Sequence, residues 1–268
     1  MKKQVETVLF LYLIAFMGLL LSSLCAGVIS ELVKLASFSV PIAVGTVIAR
    51  KSRREREEAR GIYEPYSSAF EFDGERTLLL LPLVFPFVLL MLGTSYLTVL
   101  ILSLVGVEPS GGELSGNIIY LILVHAVVPA VLEEGVFRYL SVKLLLPVSV
   151  RAAVITSSLG FALFHVDPFS MPYALLAGVV LIVVDICFKS VVPSLVMHLV
   201  NNLCSVVFSV YCIDARSVGV YMSVLSALSL VSLVALVVLR QRYKAMIADA
   251  LLDREPMSPI GIENDFGD

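Results

Sequence analysis

The chain has 268 residues, of which 59% are hydrophobic and 15% charged, with a formal net charge of −3 and a mean hydropathy of +0.96. A soluble domain carries about 45–50% apolar and about 25% charged residues, so this composition excludes a water-solvated globular core and requires lipid as the solvent. The small net charge gives no electrostatic footprint for nucleic acid, and none is expected as a partner.

Apolar runs long enough to cross roughly 30 Å of hydrocarbon recur along the chain. Eight spans are expected, at residues 6–29, 33–50, 77–105, 116–146, 150–166, 172–188, 190–212 and 217–240. In lipid every backbone N–H and C=O must be satisfied within the segment, so the expected fold class is all-α, a polytopic membrane helical bundle. Lys2 and Lys3 precede an apolar run from Thr7 to Ile29. That run is too long for a secretory h-region of about 7 to 15 residues, and Leu24 before Cys25 does not suit a lipoprotein cleavage site, so it is read as a retained first span.

The polar insertion 51–76 opens with a mixed-charge run from Lys51 to Arg60, a pattern of solvated helix faces, and its basic residues suit anionic lipid headgroups. Residues 1–244 are read as the bundle and 245–268 as a polar cytoplasmic tail. With the N-terminus inside, Lys2, Lys3, Arg50 to Arg60, Arg76, Lys143, Arg151, Lys189, Arg240, Arg242, Lys244 and Arg254 all fall in the cytoplasm, leaving Lys34 and Arg216 outside. The positive-inside rule therefore places both termini in the cytoplasm of what is read as a prokaryotic cell membrane. Cys25, Cys187, Cys204 and Cys212 show no C-x-x-C spacing and read as small hydrophobes.

An ionisable side chain at bilayer depth costs about 2.5–3.5 kcal/mol on insertion scales, so each one needs a partner or a function. The fourth span carries Glu133, Glu134 and Arg138. Glu134 and Arg138 stand at i and i+4 on one helix face, where an ion pair can form, whether it serves a site or only locks helices together. Glu133 sits about 100° round the helix, free to face another partner, and a buried carboxylate outside an ion pair is suited to proton transfer.

All three histidines, His125, His165 and His198, fall in predicted spans. His198 and Asn202 share a face of the seventh span, and Phe161 and His165 share one of the fifth. An imidazole with a carboxamide can hold a water, a metal or a carbonyl oxygen. Helix rise places Glu133 and His165 roughly 20 Å and His198 roughly 12 Å from the cytoplasmic ends of their helices, close enough for tilt to bring them to one cavity. His125 lies about 80° from Glu133 around an ideal helix and is left out of the site. Asp185 is read as interfacial, and Asp167 as interfacial or as a support for His165.

Three motifs occur in order on separate spans: E-E-x-x-x-R at Glu133 to Arg138, F-x-x-x-H at Phe161 to His165, and H-x-x-x-N at His198 to Asn202. Together they resemble the CAAX protease and bacteriocin-processing family of intramembrane metalloproteases, also called the Abi family, over about residues 115–210. The resemblance implies an intramembrane endopeptidase acting on a membrane-associated protein or peptide. The family's eukaryotic branch takes a prenylated CAAX-type substrate, its prokaryotic members include proteases with other substrates, and no residue in this sequence reads out a prenyl chain. Glu133 would activate water with help from His165, His198 and Asn202 would bind the oxyanion or a metal, and Glu134, Arg138 and Phe161 would support them. A zinc site could draw ligands from Glu133, His165 and His198, and a metal-free site would use Glu133 as base with His198 and Asn202 as donors. Both accounts fit the residues, and the absence of H-E-x-x-H sets this pattern apart from soluble zincins. The competing classes are a non-catalytic, immunity-type relative that binds a membrane partner, and a proton-coupled transporter, for which paired Gly- or Pro-broken spans are missing.

Overall fold

The computed structural model describes residues 2–60, 74–107 and 116–252. Nine helices account for nearly all of them: α1 Lys2–Ser23, α2 Gly27–Arg60, α3 Gly74–Leu104, α4 Ile118–Leu144, α5 Val150–Phe164, α6 Met171–Phe188, α7 Val192–Tyr211, α8 Ala215–Val238 and α9 Arg240–Leu252. The protein is an all-α bundle, and seven of the helices (α1–α4 and α6–α8) are long and apolar enough to cross a membrane, as a multi-pass integral membrane protein requires. The remaining expected span, residues 150–166, is α5, apolar but only 15 residues long, about 22 Å at 1.5 Å per residue. It stops at Phe164 because His165 is its C-cap and Val166 turns to φ 52°, in the left-handed region.

Other boundaries shift for identifiable reasons. The first span ends at Ser23 rather than 29, since Gly27 at φ 57° starts a new helix. That helix runs on without a break into the charged segment, where Arg53–Glu57 and Arg54–Glu58 pair at i,i+4. Residues 61–73 of the expected insertion and 253–268 of the expected tail lie outside the described residues. Residues 245–252 belong to α9, which is docked on the bundle: Asp249 pairs with Lys189 at 2.8 Å, and the Tyr243 hydroxyl donates to the carbonyl of Leu79 at 2.6 Å.

Side chains facing outward, such as Phe10, Leu81 and Val231, are as apolar as those inside, so helix association cannot rest on apolar burial alone and depends on close packing. Among the described glycines the tightest approach to a neighbouring backbone joins α5 to α6, where a Cβ on Gly178 would lie 2.7 Å from the Cα of Ser158. Helix α4 is central, packing against α1, α2, α5, α6 and α7. Its core face stacks Phe137 edge-on against Tyr12, Phe161 and Phe164, while the Tyr12 hydroxyl meets Ser141 at 2.8 Å.

Basic residues collect at one end of the bundle, with the starts of α1 and α3 and the ends of α2, α4 and α6. Arg76 donates to the carbonyl of Phe188 at 2.7 Å, and Arg242 lies 3.8 Å from Glu75. At the opposite end Asp214 caps α8 through a reciprocal pair of bonds with Ser217, which hold its carboxyl below the usual range.

Gly178→Ala should destabilise the detergent-solubilised protein by about 1–3 kcal/mol in equilibrium unfolding, since the new methyl meets backbone. Gly93→Ala, where nothing lies within 4 Å, should be neutral or stabilising by up to about 1 kcal/mol.

Candidate active site

Helix α4 is not uniformly α-helical. Leu123–Val127 and Glu134–Tyr139 are π-helical turns. The first has a cause in the sequence: Pro129 lacks the N–H that would bond the carbonyl of His125 and its ring crowds that carbonyl, so the helix widens and Val128 N–H reaches back to Leu123 O. A π turn accommodates one extra residue and so rotates the residues before it by about 100° relative to those after it. The second turn carries Glu134 and Arg138 inward together.

Arg138 is fully buried, with Glu134 Oε1 3.1 Å from its Nη1 as an ion pair without hydrogen-bond alignment. The ring of Phe161 lies 4.0 Å beneath the guanidinium, so the cation is held by one carboxylate and one aromatic face. From α7, Nδ1 of His198 reaches the same Glu134 Oε1 at 2.7 Å. A carboxylate paired with arginine only accepts, so Nδ1 carries a proton and donates it. Nε2 lies 3.7 Å from Glu133 Oε2. The two adjacent glutamates therefore flank one imidazole, Glu134 bonded to Nδ1 from within the core and the partly exposed Glu133 facing Nε2 from the cavity side.

The expectation that Glu133 faces a partner across the bundle is met, and that partner is His198. Glu134 does more than pair with Arg138, because it orients the imidazole that Glu133 faces. His165 stands at the C-cap of α5, where its Nδ1 donates to the carbonyl of Phe161 at 2.9 Å and leaves Nε2 bare. Glu133 and His165 line one cavity of about 500 Å³ without a direct bond between them. Asn202, one turn beyond His198, faces a neighbouring cavity of about 410 Å³ beside Tyr173. Phe161 touches Arg138, His165 and His198 at once, its ring 4.9 Å and 5.6 Å from the two imidazoles.

Two residues, His125 and Asp185, stand elsewhere than the sequence led us to expect, while Asp167 keeps the half-buried place between helices expected of an interfacial residue. His125 lines both cavities, because the π turn at Leu123–Val127 alters the ideal helical register; Pro129 was the signal for it. Asp185 is buried at 1% exposure rather than interfacial, and its Oδ1 accepts the backbone N–H of Ser194 at 2.9 Å, capping the first turn of α7 that aims His198. Asp167 does not support His165. It accepts from Ser170 Oγ at 2.6 Å and from Phe169 N–H, closing the turn into α6.

Residues 115–204 match the family profile described as Rce1-like, type II CAAX prenyl endopeptidase Rce1-like. This stretch is similar to CAAX proteases. The CAAX-protease-like segment spans α4 to α7 and holds every residue of the cluster. No curated protein and no solved structure matches the chain.

Glu133 with the imidazoles of His165 and His198 is donor chemistry that suits zinc. As arranged, no three His, Cys, Asp or Glu side chains among the described residues stand together as a metal-binding group.

Arg138→Leu should destabilise by about 3–5 kcal/mol, because Glu134 is left buried without its arginine counter-charge. Adding Glu134→Gln should recover part of that loss. A double-mutant cycle from unfolding curves reads this directly, and strict additivity of the two changes would show that the pair is not coupled.

Proposed function

We propose that this protein is an intramembrane endopeptidase that hydrolyses a peptide bond of a membrane-associated substrate, with a prenylated CAAX-type peptide as the substrate class favoured by the family match. The observation that carries the reading is His198, fixed at 2.7 Å by Glu134 and facing Glu133 at 3.7 Å where α4 and α7 cross.

Glu133 and His198 Nε2 are too far apart to bond directly and close enough for one water to touch both. Glu133 takes a proton as the water oxygen attacks the scissile carbonyl carbon. The C–O bond forms, and the carbonyl electron pair moves onto oxygen. The proton passes to Nε2 of His198, and Glu134 stabilises the imidazolium from the other side, the role a buried carboxylate plays in a catalytic triad. The Asn202 amide and the imidazolium donate to the oxyanion, and His165 Nε2 accepts the second hydrogen of the attacking water. Collapse restores the carbonyl, breaks the C–N bond and sends the proton from His198 to the departing amine.

Zinc dependence is a second reading, supported by the donor chemistry of Glu133, His165 and His198. In it the ion would supply Lewis-acid polarisation of the carbonyl and of bound water.

Purified protein in detergent should cleave a fluorogenic farnesylated CAAX peptide, with Glu133→Gln lowering kcat by about 100-fold to 10,000-fold. Asn202→Ala should lower kcat by about 100-fold to 1,000-fold with a smaller change in KM. Loss of activity to a chelator, restored by zinc, would move Glu133, His165 and His198 into ligand roles. A Glu133→Gln variant as active as the parent would overturn the assignment of the base, and folded protein inert towards peptide substrates would favour the non-catalytic relative.

A further inference from the structure

Every residue of the cluster lies within the segment that matches the family profile, and α1 lies outside it. One side chain of α1 nevertheless reaches the turn that carries Glu134 and Arg138 inward. Tyr12 is buried where α1 packs against α4 and α5. Its ring stands edge-on to Phe137 at 4.8 Å and lies over Gly160 of α5, where a Cβ would come 2.5 Å from the ring. A side chain at position 160 would push the ring out, so the glycine is what admits it.

A buried phenol hydroxyl is costly unless it is bonded, and here both of its bonds go to α4. It donates to the main-chain carbonyl of Phe137 at 3.1 Å. With its one proton given to that carbonyl, the Tyr12 oxygen accepts from Ser141 Oγ at 2.8 Å. Phe137 lies inside the π turn Glu134–Tyr139. In a regular α-helix its carbonyl would be taken by the N–H of residue 141, and a donor inserted there from another helix disturbs that ladder. The turn at Leu123–Val127 has Pro129 as its cause, whereas no proline stands between Ala130 and Leu146. The cause of the second turn is therefore sought in a tertiary contact, and the Tyr12 hydroxyl is placed to be one.

We propose that Tyr12 is a positioning residue for the hydrolysis: its hydroxyl, held on the Phe137 carbonyl, keeps the turn Glu134–Tyr139 wide and so sets Glu134 on Nδ1 of His198 and Glu133 opposite Nε2. This rests on the peptidase reading and gives the reaction a determinant on the first span, where no motif marks one. Closing the turn into regular α-helix would rotate the residues before it by about 100° relative to those after it, taking both glutamates off the imidazole.

Loss of the hydroxyl alone leaves the fold a way to close. In Tyr12→Phe the ring still fills the space over Gly160, and Ser141, four residues after Phe137, can bond that carbonyl itself, as serine does within helices. What disappears is the tie between α1 and the π turn.

The test compares Tyr12→Phe with Val8→Ala in the full chain in detergent. Val8 is buried on α1 one turn before Tyr12, so its truncation weakens the same packing and keeps the hydroxyl. Tyr12→Phe should lower kcat on the farnesylated peptide by about 10-fold to 100-fold with KM little changed, the effect of reacting groups displaced rather than removed. It should also shift the nitrogen-15 signals of His198. Val8→Ala should lower Tm and leave kcat and the His198 signals as they are. An unchanged kcat in Tyr12→Phe, unmoved His198 signals, or equal shifts in the two variants would each overturn the proposal. The nitrogen-15 readout needs no turnover. Protein that cleaves nothing, yet whose His198 signals move in Tyr12→Phe alone, would defeat the peptidase reading and leave the hold of Tyr12 on the imidazole standing.

Discussion

A histidine and a carboxylate from different helices, 2.7 Å apart in the middle of an apolar bundle, hold this structure to one arrangement. Removing either group from water costs several kcal/mol unless its partner stays in place, so the register of α4 against α7 is fixed by the Glu134–His198 bond. Arg138 extends the constraint. Its charge sits on Glu134 and on the Phe161 ring, which ties α5 to the same point. Asp185 extends it again, holding the first turn of α7 through Ser194 N–H. Four helices thus meet around one imidazole, and none can slide without unpairing a buried charge.

The consequence for chemistry is a division of labour between adjacent residues. Glu134, with Arg138 and His198 on one oxygen, is committed to the core. Glu133, next in sequence and partly exposed, is the carboxylate the cavity can use. A lone buried glutamate would have to hold the imidazole and meet solvent at once, whereas two consecutive glutamates in a helix point about 100° apart and separate these tasks.

Much of this was legible in the sequence. Hydropathy alone requires a helical membrane bundle, since lipid leaves the backbone no other economical solution. The Glu133, Glu134 and Arg138 cluster announces itself because charge at bilayer depth is costly. Helical periodicity failed where the helix is not ideal: the register that set His125 aside assumes 3.6 residues per turn throughout, and Pro129 breaks that assumption one turn later. The length of α5 was overestimated because hydropathy continues past the point where Val166 turns the backbone. Asp185 was misplaced for a different reason. Its position near a span end looks interfacial, and only packing reveals that the α6–α7 turn folds over it. Which oxygen of which glutamate meets His198 is a property of three helices at once, and no single-span pattern contains it.

The most direct test of the central claim is the protonation pattern of His198, read by nitrogen-15 NMR of histidine-labelled protein with His125→Gln and His165→Gln used to assign the signal. If Glu134 fixes the ring, His198 carries a proton on Nδ1, and Glu134→Gln shifts both nitrogens. A resting His198 with the proton on Nε2, unmoved by Glu134→Gln, would contradict the account.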